Sequence, residues 1–523
     1  MERDALYFSD DGAGGYRNPV LFCDYSDPDV IRAGDAYYMT ASSFNFTPGL
    51  PILKSLDLVN WRLVGYALPR IPGRRFDAPC HAQGVWAPSL REHDGWFYIF
   101  YGMPDEGIYV VRAQDPMGEW TPPALFYAGK GLIDPCPFWD EDGRAYVVHA
   151  YAKSRCGFNG RLGVIPMDGA LCASGEDRLL YDGADRHPTI EGPKVYQRNG
   201  FYYIFAPAGG VPDGWQAVLR GTSILGPFED RIVLKQGSSA VNGPHQGAWV
   251  ETAAGESWFL HFQSRGAYGR VVHLQPMSWG RDGWPRIGQK DPADAPKEDW
   301  TCGIPVLHGQ KPLAPACAKL SLQASDSWEG ALGLQWQFMG NASRAFYSLS
   351  ARPGFLRLYA RPLPGGAFRL WDCPQVLTQK LVCPQCAAAV RLDVAGLKQG
   401  EQAGLAVIGG QYAALTVRRG AQGAALSFLY SQGEAHEERV GPAIPLASGQ
   451  LYLRVELIPT SEASLSARFF FGLNGAADTP LGTFTPERHT WVGVRIGLFA
   501  LPFAPAGEGA GWADFETFTV TTL

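Results

Sequence analysis

A chain of 523 residues is longer than one ordinary core organises, so two domains are expected, each with a substantial interior. Hydrophobic residues make up 46%, charged residues only 18%, and 63 Gly with 40 Pro point to many short strands and turns in a soluble, globular, mostly β protein. A formal net charge of −6 excludes the broad basic face that nucleic acids and anionic membranes select, and leaves a neutral partner as the better fit.

The N-terminal stretch Met1-Glu2-Arg3-Asp4-Ala5-Leu6-Tyr7 lacks the basic and apolar regions of a secretory signal, and no run of about 18 apolar residues occurs, so a cytoplasmic protein is expected. Ten scattered cysteines suit reduced thiols rather than a disulfide framework.

Five stretches in the first part of the chain then follow one pattern of strand, tight turn and strand. The first has Asp27-Pro28-Asp29-Val30-Ile31, Gly34-Asp35 and Tyr37-Tyr38-Met39; the second has Trp86-Ala87-Pro88-Ser89-Leu90, Asp94-Gly95 and Trp96-Phe97-Tyr98. The third has Asp134-Pro135-Cys136, Asp142-Gly143 and Tyr146-Val147, and the fourth Glu191-Gly192-Pro193-Lys194, Asn199-Gly200 and Tyr202-Tyr203. The fifth has His245-Gln246-Gly247, Ala254-Gly255 and Trp258-Phe259. Asp-Gly and Asn-Gly supply the positive φ of two-residue hairpin turns, and the aromatic and β-branched flanks suit half-buried strands. Repeat starts lie roughly 50 to 60 residues apart, room for a four-stranded blade, so residues 1–305 are predicted to form a five-bladed β-propeller.

If the first strand of each blade lies nearest the axis, Asp27, Asp134 and Glu191 converge on a central funnel with Trp86 and the His245 segment. A single acid before a strand most often caps a turn or faces solvent. Three in register are different, because a mere interaction platform gains nothing from concentrating like charges where repulsion and desolvation oppose their ionisation. Paired carboxylates without a nucleophile elbow, Walker loop, zincin motif or dinucleotide fingerprint point to glycosidic bond cleavage, in which one acid protonates the leaving oxygen and another activates water or attacks carbon.

Several segments carry a family resemblance: Asn18-Pro19-Val20, Tyr25-Ser26-Asp27-Pro28-Asp29-Val30, Ser42-Ser43-Phe44-Asn45-Phe46-Thr47-Pro48-Gly49, Gly84-Val85-Trp86-Ala87-Pro88, Ile133-Asp134-Pro135, Glu191-Gly192-Pro193 and Gly266-Ala267-Tyr268-Gly269-Arg270. In order along the propeller, they closely resemble glycoside hydrolase family 43, above all the branch of β-xylosidases and α-L-arabinofuranosidases. The resemblance implies an inverting, exo-acting enzyme that releases terminal β-D-xylose and/or α-L-arabinofuranose from xylo-oligosaccharides or arabinoxylan fragments. It implies Asp27 as general base, Asp134 as modulator and orienting group, and Glu191 as general acid. Inversion needs room for a water, so the Asp27 and Glu191 carboxyls are expected roughly 6.5–9.5 Å apart. Phe44 and Trp86 resemble walls of a terminal-sugar pocket, Arg270 a ligand of sugar hydroxyls, and His245 an axial histidine that helps hold a calcium ion, with water as most of the other ligands. Two rival readings would leave different residues. A fructan-cleaving propeller would carry Arg-Asp-Pro and Glu-Cys where this chain has Ile133-Asp134-Pro135 and Glu191-Gly192, and a non-catalytic sugar-binding propeller has no use for all three acids.

Beyond the propeller, residues 306–319, with Pro312 and Pro315, read as a linker, and residues 320–523 as a β-sandwich. Its strands are expected around Leu332–Gln337, Phe346–Leu349, Phe355–Tyr359, Leu451–Leu457 and Val492–Phe499. The Gln335-Trp336-Gln337 and Ala513-Asp514-Phe515 neighbourhoods resemble the accessory domain of this branch, which either binds sugar or braces the propeller and lends a loop to its mouth; bracing is preferred. Cys383 and Cys386 form a CxxC with no second pair at zinc-finger spacing and read as buried or turn cysteines.

Overall fold

The five hairpin patterns each seed a four-stranded antiparallel sheet in a computed structural model that describes residues 6–294, 300–473, 475–505 and 509–523. Residues 1–5, part of the N-terminal stretch read above, lie outside these. The innermost strands are Asp29–Ala33, Pro88–His93, Leu132–Trp139, Lys194–Arg198 and His245–Glu251, and the other three strands of each sheet follow in chain order. The five sheets pack in turn round a ring, the fifth returning to the first, so they are blades of a propeller. Asp94-Gly95 and Asn199-Gly200 both have positive φ at both turn positions (48° and 73°, 51° and 78°), as a type I′ turn requires.

All four strands of the fifth blade come from one continuous stretch, so no strand from the N-terminus completes it. The ring is tied differently. Gly15–Arg17 pairs with His308–Gln310, Leu21 bridges Val272, and Asn18 Nδ2 donates to the carbonyls of Leu274 and Val306, each at 2.8 Å. The stretch expected to be a free linker therefore contains a strand. Lys311 continues the tie through an ion pair to Asp10 at 2.7 Å, and Cys317 donates to Asp57 Oδ2 at 2.9 Å.

The second domain is a sandwich of an eight-stranded and a seven-stranded antiparallel sheet. Expected strands appear at Leu356–Tyr359, Gln450–Pro459 and Arg495–Pro502. Leu332–Gln337 differs: only Gln337–Phe338 is extended, because Trp336 turns inward, is 1% exposed, and donates from Nε1 to Asp326 Oδ2 at 2.9 Å. Cys383 and Cys386 are free thiols in the buried core. One apolar core runs through both domains, joining Phe22, Tyr25 and Tyr268 of the propeller to Leu356, Val390 and Phe518 of the sandwich. Among the described residues no helix is long and apolar enough to cross a membrane.

Candidate active site

The three acids meet because the backbone bends sharply where each innermost strand begins. Asp27 and Asp134 have φ of 57° and 56°, a region costly for residues with a side chain, and Gly192 beside Glu191 has φ 56°. In the third and fifth blades the ladder skips at Ile133/Cys136 and His245/Gly247, and the displaced residues, Asp134 and Gln246, turn towards the axis. Gln246 Nε2 then donates to Asp134 Oδ2 at 2.9 Å, and the Gly192 amide donates to the same oxygen at 2.8 Å. These bonds join blades three, four and five.

The acids differ in surroundings. Asp27 is buried and accepts from Ser26 Oγ at 2.8 Å, Ser42 Oγ at 2.5 Å and Arg270 Nη1 at 2.8 Å. Asp134 is buried too, and its carboxyl is pushed up to about 8, first by burial and then by the negative charges of Glu191 and Asp27. Glu191 keeps a side chain 30% exposed, held on one side by His245 Nε2, which lies 2.8 Å from Oε1. It is the acid a bound molecule reaches.

Three aromatic rings and a guanidinium enclose this group. Phe44, with φ 53°, is buried against Val85 through paired backbone bonds, and Gly84 allows the approach, since a Cβ there would meet Phe44 O at 2.5 Å. Trp86 is half-buried, its Nε1 donating to Ala82 O at 3.0 Å. Arg270 reaches Asp27 and Ser26 through Nη1, lies over Phe262 at 4.5 Å, and has a buried Nε without a protein partner. It is thus an ion-pair partner of Asp27 as well as a donor at the pocket.

The third ring belongs to the sandwich and went unnoticed in the sequence. Trp491 stands 5.0 Å from Trp86, edge to face, 6.5 Å from Phe44 and 5.9 Å from the Arg270 guanidinium. A tight turn presents it: His489 and Val492 exchange backbone bonds, and Thr490 between them has φ 56°. Asp24 pins that turn to the propeller, accepting from the Gly493 amide at 2.9 Å and the Arg270 amide at 2.8 Å. Nothing in the local sequence marks Trp491 as a site residue, since its partners lie in the propeller.

His245 is the residue expected to help hold a calcium ion. Calcium prefers six to eight oxygen donors. Here one imidazole has Nε2 engaged by Glu191 and a buried Nδ1 without a protein partner, and among the described residues no group of three or more His, Cys, Asp or Glu side chains is placed to hold a metal ion. Among the described residues, protein side chains alone do not supply that ion's ligand set, and His245 Nε2 holds the acid Glu191.

A profile described as Glycosyl hydrolases family 43 matches residues 16–285, and one described as Beta xylosidase C-terminal Concanavalin A-like domain matches residues 325–521. A beta-xylosidase of Formosa agariphila is 31% identical, the match covering 98% of this chain and 91% of that protein. A non-reducing end alpha-L-arabinofuranosidase of Bacteroides ovatus is 28% identical over 97% of this chain and 95% of its own. The crystal structure of a xylan beta-1,4-xylosidase from Bacillus halodurans superposes with a TM-score of 0.82 at 25% identity, covering 97% of this chain and 99% of that one.

Proposed function

This chain belongs to glycosyl hydrolases family 43 and is a glycoside hydrolase; we propose that it releases terminal β-D-xylose and/or α-L-arabinofuranose from xylo-oligosaccharides or arabinoxylan fragments, with inversion at the anomeric carbon. The observation that carries the reading is the cluster of carboxylates from three blades beside Arg270 and aromatic rings from both domains. Phe44, Trp86 and Trp491 offer apolar faces to a neutral sugar ring, and the sandwich turn walls one side, which favours a terminal unit over mid-chain binding.

Glu191 is the general acid. Of the three acids it is the exposed one, whose oxygen a leaving group can reach, whereas burial and the negative charges of Glu191 and Asp27 push the enclosed Asp134 up to about 8. His245 fixes that side chain by holding Oε1. Asp27 is the general base: Ser26, Ser42 and Arg270 donate to it, fix its orientation and match the charge a base must carry. Asp134, tied by Gly192 and Gln246, sets the field in which Glu191 holds and releases its proton.

Hydrolysis of nitrophenyl β-D-xyloside, nitrophenyl α-L-arabinofuranoside and xylobiose tests this reading. Wild-type enzyme turns over at least one nitrophenyl pentoside, and Glu191→Gln lowers kcat on xylobiose by about 100-fold or more. Failure of the wild type on every pentoside would remove the proposal.

A further inference from the structure

Beneath the acids the axial channel is crossed by the chain's own side chains, one of them a cation, before it opens into a cavity lined by Val30, Arg91, Phe138, Tyr196 and Trp249. Lys194 opens the innermost strand of the fourth blade, three residues after Glu191, and is 1% exposed. Its Nζ donates to Pro88 O at 3.0 Å and Ser89 Oγ at 2.8 Å, at the start of the innermost strand of the second blade. Blades two and four are not neighbours; the third stands between them, so this side chain crosses the axis. A layer further along is closed separately: Arg91 pairs with Asp29 at 2.7 Å and donates to Cys136 Sγ at 3.1 Å.

Both acceptors of Lys194 are neutral, and among the described residues no carboxylate forms an ion pair with it. Burying an ammonium without a paired anion is costly, and hydrophobic packing alone would favour a methionine or leucine there. What offsets the cost is the cluster above. Asp134 faces two negative groups, Glu191 and Asp27, and one positive group, Lys194, besides the neutral donors Gly192 and Gln246. Of the remaining groups at the cluster, Arg270 faces Asp27, and His245 faces Glu191.

We infer that the Lys194 ammonium is the resident cation of the axial channel, a positioning residue that balances the three acids from below as a bound divalent ion would, so that the protein neither needs nor holds calcium there. The electrostatic half rests on Asp27, Asp134 and Glu191 being the working acids; the metal half does not, and the two are measured separately. Wild-type protein purified without chelator is expected to carry far less than stoichiometric calcium by mass spectrometry of the metal. Its melting temperature is expected to be unmoved by EDTA or by millimolar calcium. Stoichiometric calcium, or a fall in melting temperature on chelation, would overturn the inference with no variant required. In Lys194→Met the side chain keeps its length and loses its charge, so the alkaline limb of the kcat profile moves up by about one pH unit. A lysine that merely fills space would instead lower the amplitude and leave the limb in place, which also overturns the inference.

Discussion

Asp27, Asp134 and Glu191 are chemically similar side chains given different work by what touches them. The fully enclosed Asp134 is the one whose proton affinity is most displaced, pushed up to about 8 from an ordinary carboxylate value near 4. Between those values the native state binds more protons than the unfolded chain. The stability linked to this group is therefore complete below about pH 4 and lost as pH rises through about 8. Asp134→Asn keeps an acceptor for Gly192 and Gln246 but cannot ionise. Its melting temperature should gain on wild type as pH is raised through that window, in thermal scans at stepped pH, while activity falls. The two flanking acids separate by leaving group. An activated nitrophenolate departs with little help from an acid, so Glu191→Ala should lose more activity on xylobiose than on the nitrophenyl pentoside. Asp27→Ala, lacking the base, should lose comparably on both, in side-by-side kcat/KM measurements. These acids were legible in the sequence because each stands beside a Pro or Gly at the head of a repeat. The partner of His245 was not, since only the folded ring brings Glu191 Oε1 to its Nε2.

Hairpins were the most readable elements, because Asp-Gly and Asn-Gly encode their turns locally and the alternating aromatics encode their faces. The sandwich strands were less so: the Leu332–Trp336 segment has the composition of a strand, yet the bond from the Trp336 indole to Asp326 holds it in a turn. The turn carrying Trp491 was unreadable for the same reason at longer range, since Asp24 and Tyr268, which hold it, belong to the propeller. Its fit is tight. A Cβ at Gly493 would meet Tyr268 O at 2.7 Å, a backbone atom unable to yield cheaply. Gly493→Ala should therefore displace the turn, costing about 1–3 kcal/mol in denaturant unfolding and raising KM for pentosides while the acids stay intact. Trp491→Ala, which removes the ring and not the turn, should raise KM by about tenfold with little loss of stability, the cost of about 1.4 kcal/mol of binding. An unchanged KM in both variants would mean that the sandwich only braces.

The two domains share one apolar core, and Trp491 of the sandwich stands against Trp86 and Phe44 of the propeller. Residues 16–285 and 325–521 each match a separate domain profile, yet Phe22, Tyr25 and Tyr268 are buried by the sandwich, and Asn45 donates to Met339 O at 2.7 Å across the junction. A propeller expressed without residues 320–523 should therefore expose that apolar face, aggregate in light scattering, and lack the Trp491 wall. The proposed inverting mechanism makes a stereochemical commitment: a base and an acid on opposite faces of the sugar, with water admitted between. Proton NMR of the first turnovers on a β-xyloside reads that commitment directly. α-D-Xylose should appear first and mutarotate to the β anomer only later. First appearance of β-D-xylose would contradict the account, because it requires a covalent intermediate on one carboxylate rather than attack by a water held at Asp27.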